Sequence, residues 1–180
     1  MPHSIRSRVK GGTFFFTVVT QQRRHLLLRA PVLKALRESF AEIQSRDPFT
    51  LNAWVILPDH LHCIWTLRED DGEFGRKWGR IKAGVTRRVL EATPNIPDRA
   101  ISRNKRGEGP VWQRRLWEHR IRNERDLQTH LDYIHYNPVK HGLADAAREW
   151  RFSSFHTYVE RGFYGQDWGG VAMPEISAGE

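Results

Sequence analysis

Two apolar runs separated by a Pro-Asp pair constrain the fold of this chain more than any other feature. Residues 49–57 and 60–67 are rich in β-branched and aromatic residues, which favour extended strands. Pro58 and Asp59 between them are typical of a turn. We therefore predict that the two runs are neighbouring strands joined as a hairpin.

The second run begins with the sequence His60-Leu61-His62. Successive side chains of a strand point to opposite faces, so His60 and His62 project together while Leu61 and Cys63 point the other way. Two imidazoles at this spacing can chelate one divalent metal ion, although two ligands alone do not complete a metal site. The alternative is a pair of partly exposed histidines on a sheet face.

Further periodic segments predict an α+β fold. Residues 13–20 (TFFFTVVT) favour a strand buried on both faces, and residues 111–121 favour a strand late in the chain. Apolar residues at helical spacing predict helices over residues 31–46 and 76–90. The order strand, helix, strand, strand, helix, strand is the ferredoxin-like βαββαβ plan, an antiparallel sheet with helices packed on one face.

An extra helix follows the last predicted strand. Asn123 suits the N-cap position, with acidic residues in the first turn, and Pro138 is expected to end the helix near Tyr136. Residues 12–142 are expected to form the core of a single domain, and residues 143–180 an additional C-terminal helix and tail.

Charge and cysteine content narrow the classes of function. The 180 residues include 29 Lys and Arg against 21 Asp and Glu, which gives a formal net charge of +8 and a pI near 10.1. That excess suits a polyanionic partner, most simply nucleic acid, although a basic protein without such a partner is an alternative. The single Cys63 excludes an internal disulfide, and no apolar run approaches the ~20 residues of a spanning helix. We expect a cytoplasmic protein with no membrane partner.

Basic side chains are concentrated in two predicted elements and one predicted loop. The helix over residues 76–90 and the last strand carry most of the residues that we expect to contact nucleic-acid phosphates. These are Arg76, Lys77, Arg80, Lys82, Arg87, Arg88, Arg114, Arg115, Arg120 and Arg122. The loop over residues 93–109 adds Arg99, Arg103, Lys105 and Arg106.

A tyrosine in the extra helix supplies a candidate nucleophile. Tyr133 and Asn137 are four residues apart, so they share a face if the helix reaches that far, and His130 lies on the same side. A tyrosine beside a metal-bound phosphate can act as a nucleophile, and an Asn oxygen can complete a metal site begun by two histidines. Spacing leaves Tyr136 as an alternative nucleophile, and a packing role as the alternative for Tyr133.

These motifs together carry a family resemblance. The segments PDHLHCIW, WQRRLWEHRIRNERDLQTHLDYIHYNPVKHGL, FSSFHTYV and YGQDWGG resemble the REP-associated tyrosine transposases, which are similar to the single-tyrosine transposases of the HUH family. In the HUH motif two histidines flank a bulky hydrophobic residue, here Leu61. The resemblance spans residues 12–170, and it is the combination of the His-Leu-His motif with YIHYNPVKHG and the DWGG tail that is specific.

The resemblance implies a role for each candidate residue. His60 and His62 match the metal-binding pair, Tyr133 matches the catalytic tyrosine, and Asn137 occupies the position of a polar third ligand that is often Gln. The implied metal ion is Mg²⁺ or Mn²⁺. The implied reaction cleaves single-stranded DNA at a hairpin from a repetitive extragenic palindrome (REP), leaves a 5′-phosphotyrosine link and a free 3′-hydroxyl, and is reversed on rejoining.

Two other functions stay open on the sequence. A ferredoxin-like sheet can bind nucleic acid without chemistry, although the aromatic RNP motif of RNA-recognition domains is absent. A small metallohydrolase can use two histidines with an activated water. The resemblance also implies a bacterial, nucleoid-associated protein, and the extra tail favours a monomer over a dimer with exchanged tyrosine helices.

Overall fold

The computed structural model describes residues 10–93 and 110–170, in which four strands form an antiparallel sheet in the order β2-β3-β1-β4. The strands are β1 (Gly12–Val19), β2 (Phe49–Ile56), β3 (His60–Leu67) and β4 (Trp117–Arg120). The helices are α1 (Ala30–Arg46), α2 (Phe74–Ala92), α3 (Glu124–Lys140) and α4 (Phe155–Glu160). The strand order confirms the predicted ferredoxin-like α+β fold. Within these two stretches, none of the helices is long and apolar enough to cross a membrane.

The apolar strand β1 lies in the interior of the sheet. Phe14 and Phe16 point to one face and Phe15 to the other, and all three are buried. Helices α1 and α2 pack on the first face, where Trp65 of β3 stacks on Trp78 of α2 with ring centroids 4.4 Å apart. The uninterrupted apolar run of β1 therefore predicts its position correctly, because a strand covered on both faces has no side that favours polar residues.

Helix α3 covers the opposite face of the sheet. Ile134 of α3 packs there with Phe15 of β1 and Ile64 of β3. The helix begins as predicted, since the Asn123 side chain accepts a hydrogen bond from the Asp126 N–H at 2.9 Å. The sheet thus lies between α1 and α2 on one face and the extra helix on the other.

The last strand is shorter than predicted. The regular ladder with β1 covers Trp117–Arg120, whereas the prediction extended over residues 111–121. Before that ladder, Trp112 makes an isolated bridge with Thr20, and the Gln113 N–H donates to the Val19 carbonyl at 3.0 Å. Val111 is buried in the core with α1 and α2, but Arg114 and Arg115 are both exposed. Two adjacent exposed arginines interrupt the alternation that a paired strand needs, so the regular ladder begins only after them.

The end of α3 is also a correction, because the helix continues through Pro138 to Lys140. A proline removes a backbone hydrogen bond and crowds the preceding turn, which normally ends a helix. Here the cost falls in the last turn, and the end is closed by hydrogen bonds from the Gly142 N–H to the Val139 carbonyl and from the Leu143 N–H to the Pro138 carbonyl, both 2.9 Å. Gly142 has the left-handed conformation (φ +66°) that this Schellman-type ending requires.

The C-terminal segment folds back onto the sheet edge and α3. The Ile56 N–H of β2 donates to the Phe152 carbonyl at 2.8 Å. Phe155 of α4 packs against Tyr164, whose hydroxyl donates to the carboxylate of Asp132 in α3 at 2.9 Å. Residues 146–170 therefore extend the ferredoxin-like core and contact the outer side of α3.

Candidate active site

Strand β3 brings the two histidines of the hairpin to the sheet face that α3 covers. His60 and His62 are both buried, and their ring centroids are 4.8 Å apart. Leu61 and Cys63 point into the opposite core, which confirms the predicted alternation. The alternative of partly exposed histidines does not hold, because His62 has no exposed surface.

A polar neighbour occupies the Nδ1 atom of each imidazole. Nδ1 of His60 lies 2.6 Å from Asp59 Oδ1, and Nδ1 of His62 lies 2.9 Å from Thr17 Oγ1. In each ring Nε2 is the atom left to bind a ligand, as is usual where a second group orients a metal-binding histidine. The sequence indicates only a turn at Asp59, and Thr17 meets His62 solely through the β1–β3 register, so neither residue was predicted for the site.

Burial and neighbouring charges set the ionisation of the site. Burial first, and then the charges of His60 and His141, hold the pKa of His62 well below its ordinary value. Burial opposes ionisation of Asp59, but the hydrogen bond and charge of His60 and the Arg23 guanidinium, 3.2 Å away, outweigh it and lower the pKa of that carboxyl. An imidazole binds a divalent cation in its neutral form, so the lowered pKa leaves His62 ready to act as a ligand.

Tyr133 of α3 faces this histidine pair. Its ring centroid is 5.2 Å from that of His62, and only 1% of the residue is exposed. The Tyr136 ring instead meets Trp168 of the C-terminal segment, with centroids 6.4 Å apart. Spacing alone left both tyrosines open as nucleophiles, and the structure brings Tyr133 to the histidines.

Asn137 lies one helical turn beyond Tyr133 and is completely buried. Among the residues that the structure describes, neither polar atom of its side chain has a hydrogen-bond partner, and the same is true of Nε2 of His62. Leaving a buried polar group unpaired costs roughly 1–3 kcal/mol, so such groups are rare unless a ligand satisfies them. An amide oxygen and imidazole nitrogens fit a divalent cation such as Mn²⁺ or Mg²⁺, with positions left for substrate oxygen.

A second group of potential metal ligands lies between β4 and α3. Ligand atoms of His119, Asp126 and His130 all lie within 4.8 Å of one another. The two imidazoles, however, stack at 4.6 Å with ring planes only 12° apart, so their in-plane lone pairs do not converge on one point. Asp126 Oδ2 lies 2.9 Å from His119 Nε2, and His130 packs on Phe15 at 4.9 Å. This group therefore fixes α3 to β4.

Lys77 is a correction to the predicted phosphate contacts. Its side chain is completely buried and pairs with the carboxylates of Asp47 and Asp71. Helical spacing places Lys77 at the border between the apolar and basic sides of α2, and it turns inward to the carboxylates of the α1–β2 and β3–α2 connections. A buried ammonium held by two carboxylates is a structural ion pair that nucleic acid does not reach.

Lys82 and Arg88 of α2 are partly buried and also make contacts within the protein. Lys82 donates to the Gln113 carbonyl at 2.6 Å, and burial lowers its pKa to about 8. Arg88 pairs with Glu42 at 2.6 Å. The remaining predicted contacts are exposed: Arg76, Arg80, Arg87, Arg114, Arg115, Arg120 and Arg122. Of these, Arg76 and Arg80 also pair with Asp47, at 3.4 and 3.8 Å. Those of the predicted loop, Arg99, Arg103, Lys105 and Arg106, lie outside the described residues.

Comparison with known proteins finds one family throughout the chain. The family model "Transposase IS200 like" matches residues 9–137. The REP-associated tyrosine transposase of Escherichia coli (strain K12) is 42% identical over 175 residues, which cover 97% of this chain and 94% of that protein. A solved structure described as a REP-associated tyrosine transposase bound to a REP hairpin matches with a TM-score of 0.80 and 40% identity, covering 100% of this chain and 98% of that one.

Proposed function

This chain belongs to the IS200-like transposase family, and on that premise we propose that it cuts and rejoins single-stranded DNA at REP-type hairpins. The observation that carries the proposal is the contact of Tyr133 with His62 in a buried site. The Asn137 side chain and Nε2 of His62 in that site have no partner among the described residues. The similar protein bound to a REP hairpin supports the proposed substrate.

In the proposed reaction the Tyr133 hydroxyl oxygen attacks the scissile phosphorus and its proton passes to water. The bond from phosphorus to the 3′-oxygen breaks, and that oxygen takes up a proton. The products are a 5′-phosphotyrosine link and a free 3′-hydroxyl. Because one phosphoester replaces another, attack by a 3′-hydroxyl on the link rejoins DNA without an external energy source.

His60, His62 and Asn137 are the residues that would hold a divalent cation, Mg²⁺ or Mn²⁺. When bound, the cation would polarise the phosphodiester and offset the negative charge that develops on it. Asp59 and Thr17 would keep the two imidazoles oriented for this task through their Nδ1 atoms.

The exposed arginines support DNA as the partner, and the C-terminal segment supports a monomeric protein. Arginines on the surface suit DNA phosphates, so binding is expected to weaken as the salt concentration rises. Tyr164 bonds to Asp132 of the same chain, which supports a monomer that keeps its own tyrosine helix. We place the protein in the bacterial cytoplasm, associated with the nucleoid, where its DNA substrate lies.

A covalent-adduct assay tests the proposal. Purified protein is mixed with a labelled single-stranded oligonucleotide containing a REP hairpin and Mn²⁺, and the products are separated on a denaturing gel. We expect a shifted band that disappears with Tyr133→Phe or EDTA and persists with Tyr136→Phe. The second variant is a matched control, since it makes the same change one turn away on the same helix.

Other outcomes would identify other functions. A band lost only with Tyr136→Phe would make Tyr136 the nucleophile. Tight, salt-sensitive binding without any band would favour the non-catalytic binding module. Strand cleavage that survives Tyr133→Phe would favour a metallohydrolase with an activated water.

A further inference from the structure

The end of α3 places a cation over the tyrosine. Lys140, the last residue of α3, lies about two turns after Tyr133, so the two side chains share a helix face. Nζ of Lys140 is 4.8 Å from the centroid of the Tyr133 ring. Lys140 is exposed whereas Tyr133 is buried, so the ammonium lies on the solvent side of the ring.

This placement depends on the unexpected end of the helix. A helix that ended before Pro138 would not carry Lys140 along the face of Tyr133. The helix instead continues, and the hydrogen bonds of Gly142 and Leu143 to the last-turn carbonyls fix its final turn. The hydrogen-bonded last turn therefore holds the backbone of Lys140 at a point from which its ammonium reaches the Tyr133 ring.

A lysine at this point also has an ordinary structural role. A cation in the last turn complements the helix dipole, and an ammonium over an aromatic ring is attracted by its π-electrons. The dipole is satisfied by a cation anywhere in the last turn, so it is the attraction to the ring that brings the ammonium back to Tyr133. The same position puts a cation beside the tyrosine that would attack a phosphate.

We propose that Lys140 is a catalytic residue that binds a non-bridging oxygen of the scissile phosphate and holds the phosphorus within reach of the Tyr133 hydroxyl. This inference rests on the proposed function and adds a residue to it. The flexible lysine stem lets the ammonium leave the ring for the phosphate. As the Tyr133 oxygen–phosphorus bond forms and the phosphorus–3′-oxygen bond breaks, the ammonium keeps its protons and offsets the charge on the non-bridging oxygens.

The first test is the rate of adduct formation in a single turnover with a REP hairpin oligonucleotide and Mn²⁺. Loss of one such electrostatic contact slows catalysis on the order of 100-fold, which is the effect expected of Lys140→Met. Lys140→Arg should recover most of the rate, because it restores the cation. Lys34→Met is the matched control, since Lys34 is an exposed lysine of α1, the helix on the other face of the sheet.

The second test measures affinity without cleavage, in EDTA, for the hairpin alone and for the hairpin with a single-stranded extension through the cleavage position. Lys140→Met should weaken binding of the extended oligonucleotide only, and urea unfolding should show that Lys140→Met and Lys34→Met are both fully folded under the assay conditions. Equal adduct rates for Lys140→Met and Lys34→Met would overturn the role of Lys140 and leave the proposed function intact. If the wild-type protein forms no adduct, the proposed function fails. In that case the affinity measurement still tests the phosphate contact, and equal losses of affinity for the two oligonucleotides in Lys140→Met would overturn it.

Discussion

At the scale of single residues, some polar atoms of the site are held by hydrogen bonds within the protein, and others are left to bind a ligand. Asp59 and Thr17 occupy the Nδ1 atoms of the two histidines. Nε2 of His62 and the Asn137 side chain are buried with no partner in the described part of the chain. Such a division is expected where a protein holds a cation, because unpaired buried groups otherwise only cost stability.

The orientation of His60 by Asp59 can be tested directly. Asp59→Asn replaces the ionised acceptor by a neutral amide, so we expect Mn²⁺ binding to weaken by about 10–100-fold in isothermal titration calorimetry. Asp70→Asn is the control, because Asp70 is an exposed carboxylate paired with Arg68. If both variants bind Mn²⁺ as the wild type does, Asp59 does not support the metal site.

Replacing Asn137 is expected to raise the free energy of unfolding without a metal ion and to remove the stability that a metal ion adds. In EDTA, Asn137→Leu should raise the free energy of unfolding by about 1 kcal/mol, because an apolar side chain of similar size removes an unsatisfied polar group. With Mn²⁺ present, the wild type should gain stability in urea titrations while Asn137→Leu gains almost none. A variant that loses about 2 kcal/mol or more in EDTA would show that the amide serves the fold.

At the scale of elements, local patterns were predictable and long-range contacts were not. The hairpin of β2 and β3 and the shared face of His60 and His62 follow from alternation within a few residues. The extent of α3 does not, because the Schellman-type ending offsets the local effect of Pro138. Likewise, the burial of Lys77 depends on two carboxylates outside α2, those of Asp71 just before the helix and of Asp47, which is thirty residues away in the sequence.

Helix α3, which carries Tyr133, is attached to β4 through the carboxylate of Asp126. Asp126 receives the Arg122 N–H at 2.9 Å and lies at the same distance from His119 Nε2. Burial opposes ionisation of this carboxyl, but those hydrogen bonds outweigh it and hold the pKa of Asp126 below its ordinary value of 3.8. The contribution of Asp126 to stability is therefore present above that ordinary value and is lost as the pH falls through the lower value of the folded state.

Asp126→Asn should accordingly destabilise the protein by about 1–2 kcal/mol at about pH 7, and the difference from wild type should shrink toward pH 3. Urea unfolding at the two pH values measures both quantities. Asp145→Asn, at an exposed position, should match the wild type at each pH. A deficit in Asp126→Asn that stays constant between the two pH values would contradict an ionised Asp126 as the source of the stability.

At the scale of the whole molecule, the C-terminal segment completes the core through a buried histidine. Nε2 of His135 in α3 lies 2.9 Å from Ser154 Oγ, and Ser154 also accepts the Trp54 N–H of β2. The predicted domain plan indicates an additional helix and tail here, but not their attachment. That attachment comes from polar and aromatic contacts far apart in the sequence, including His135 with Tyr164 at 5.2 Å.

Burial lowers the pKa of His135 from 6.5 to about 3. Since the unfolded chain binds the proton more readily, the stability due to neutral His135 is complete above pH 6.5 and falls as the pH drops toward 3. Between about pH 6.5 and pH 5 the loss should be about 1.5 kcal/mol by urea unfolding. His135→Gln should lack this part of the pH dependence, whereas His156→Gln, at an exposed position, should keep it. An unchanged pH dependence in His135→Gln would place the titrating group elsewhere.

The central claim is that Tyr133 becomes covalently attached to DNA beside His60 and His62. The most direct measurement is to react wild-type protein with a REP hairpin oligonucleotide and Mn²⁺, digest the adduct with protease and nuclease, and locate the phosphate-linked residue by mass spectrometry. The modification is expected on Tyr133, and only when the divalent cation is present. A phosphate-linked residue other than Tyr133, or an equal yield in EDTA, would contradict the claim.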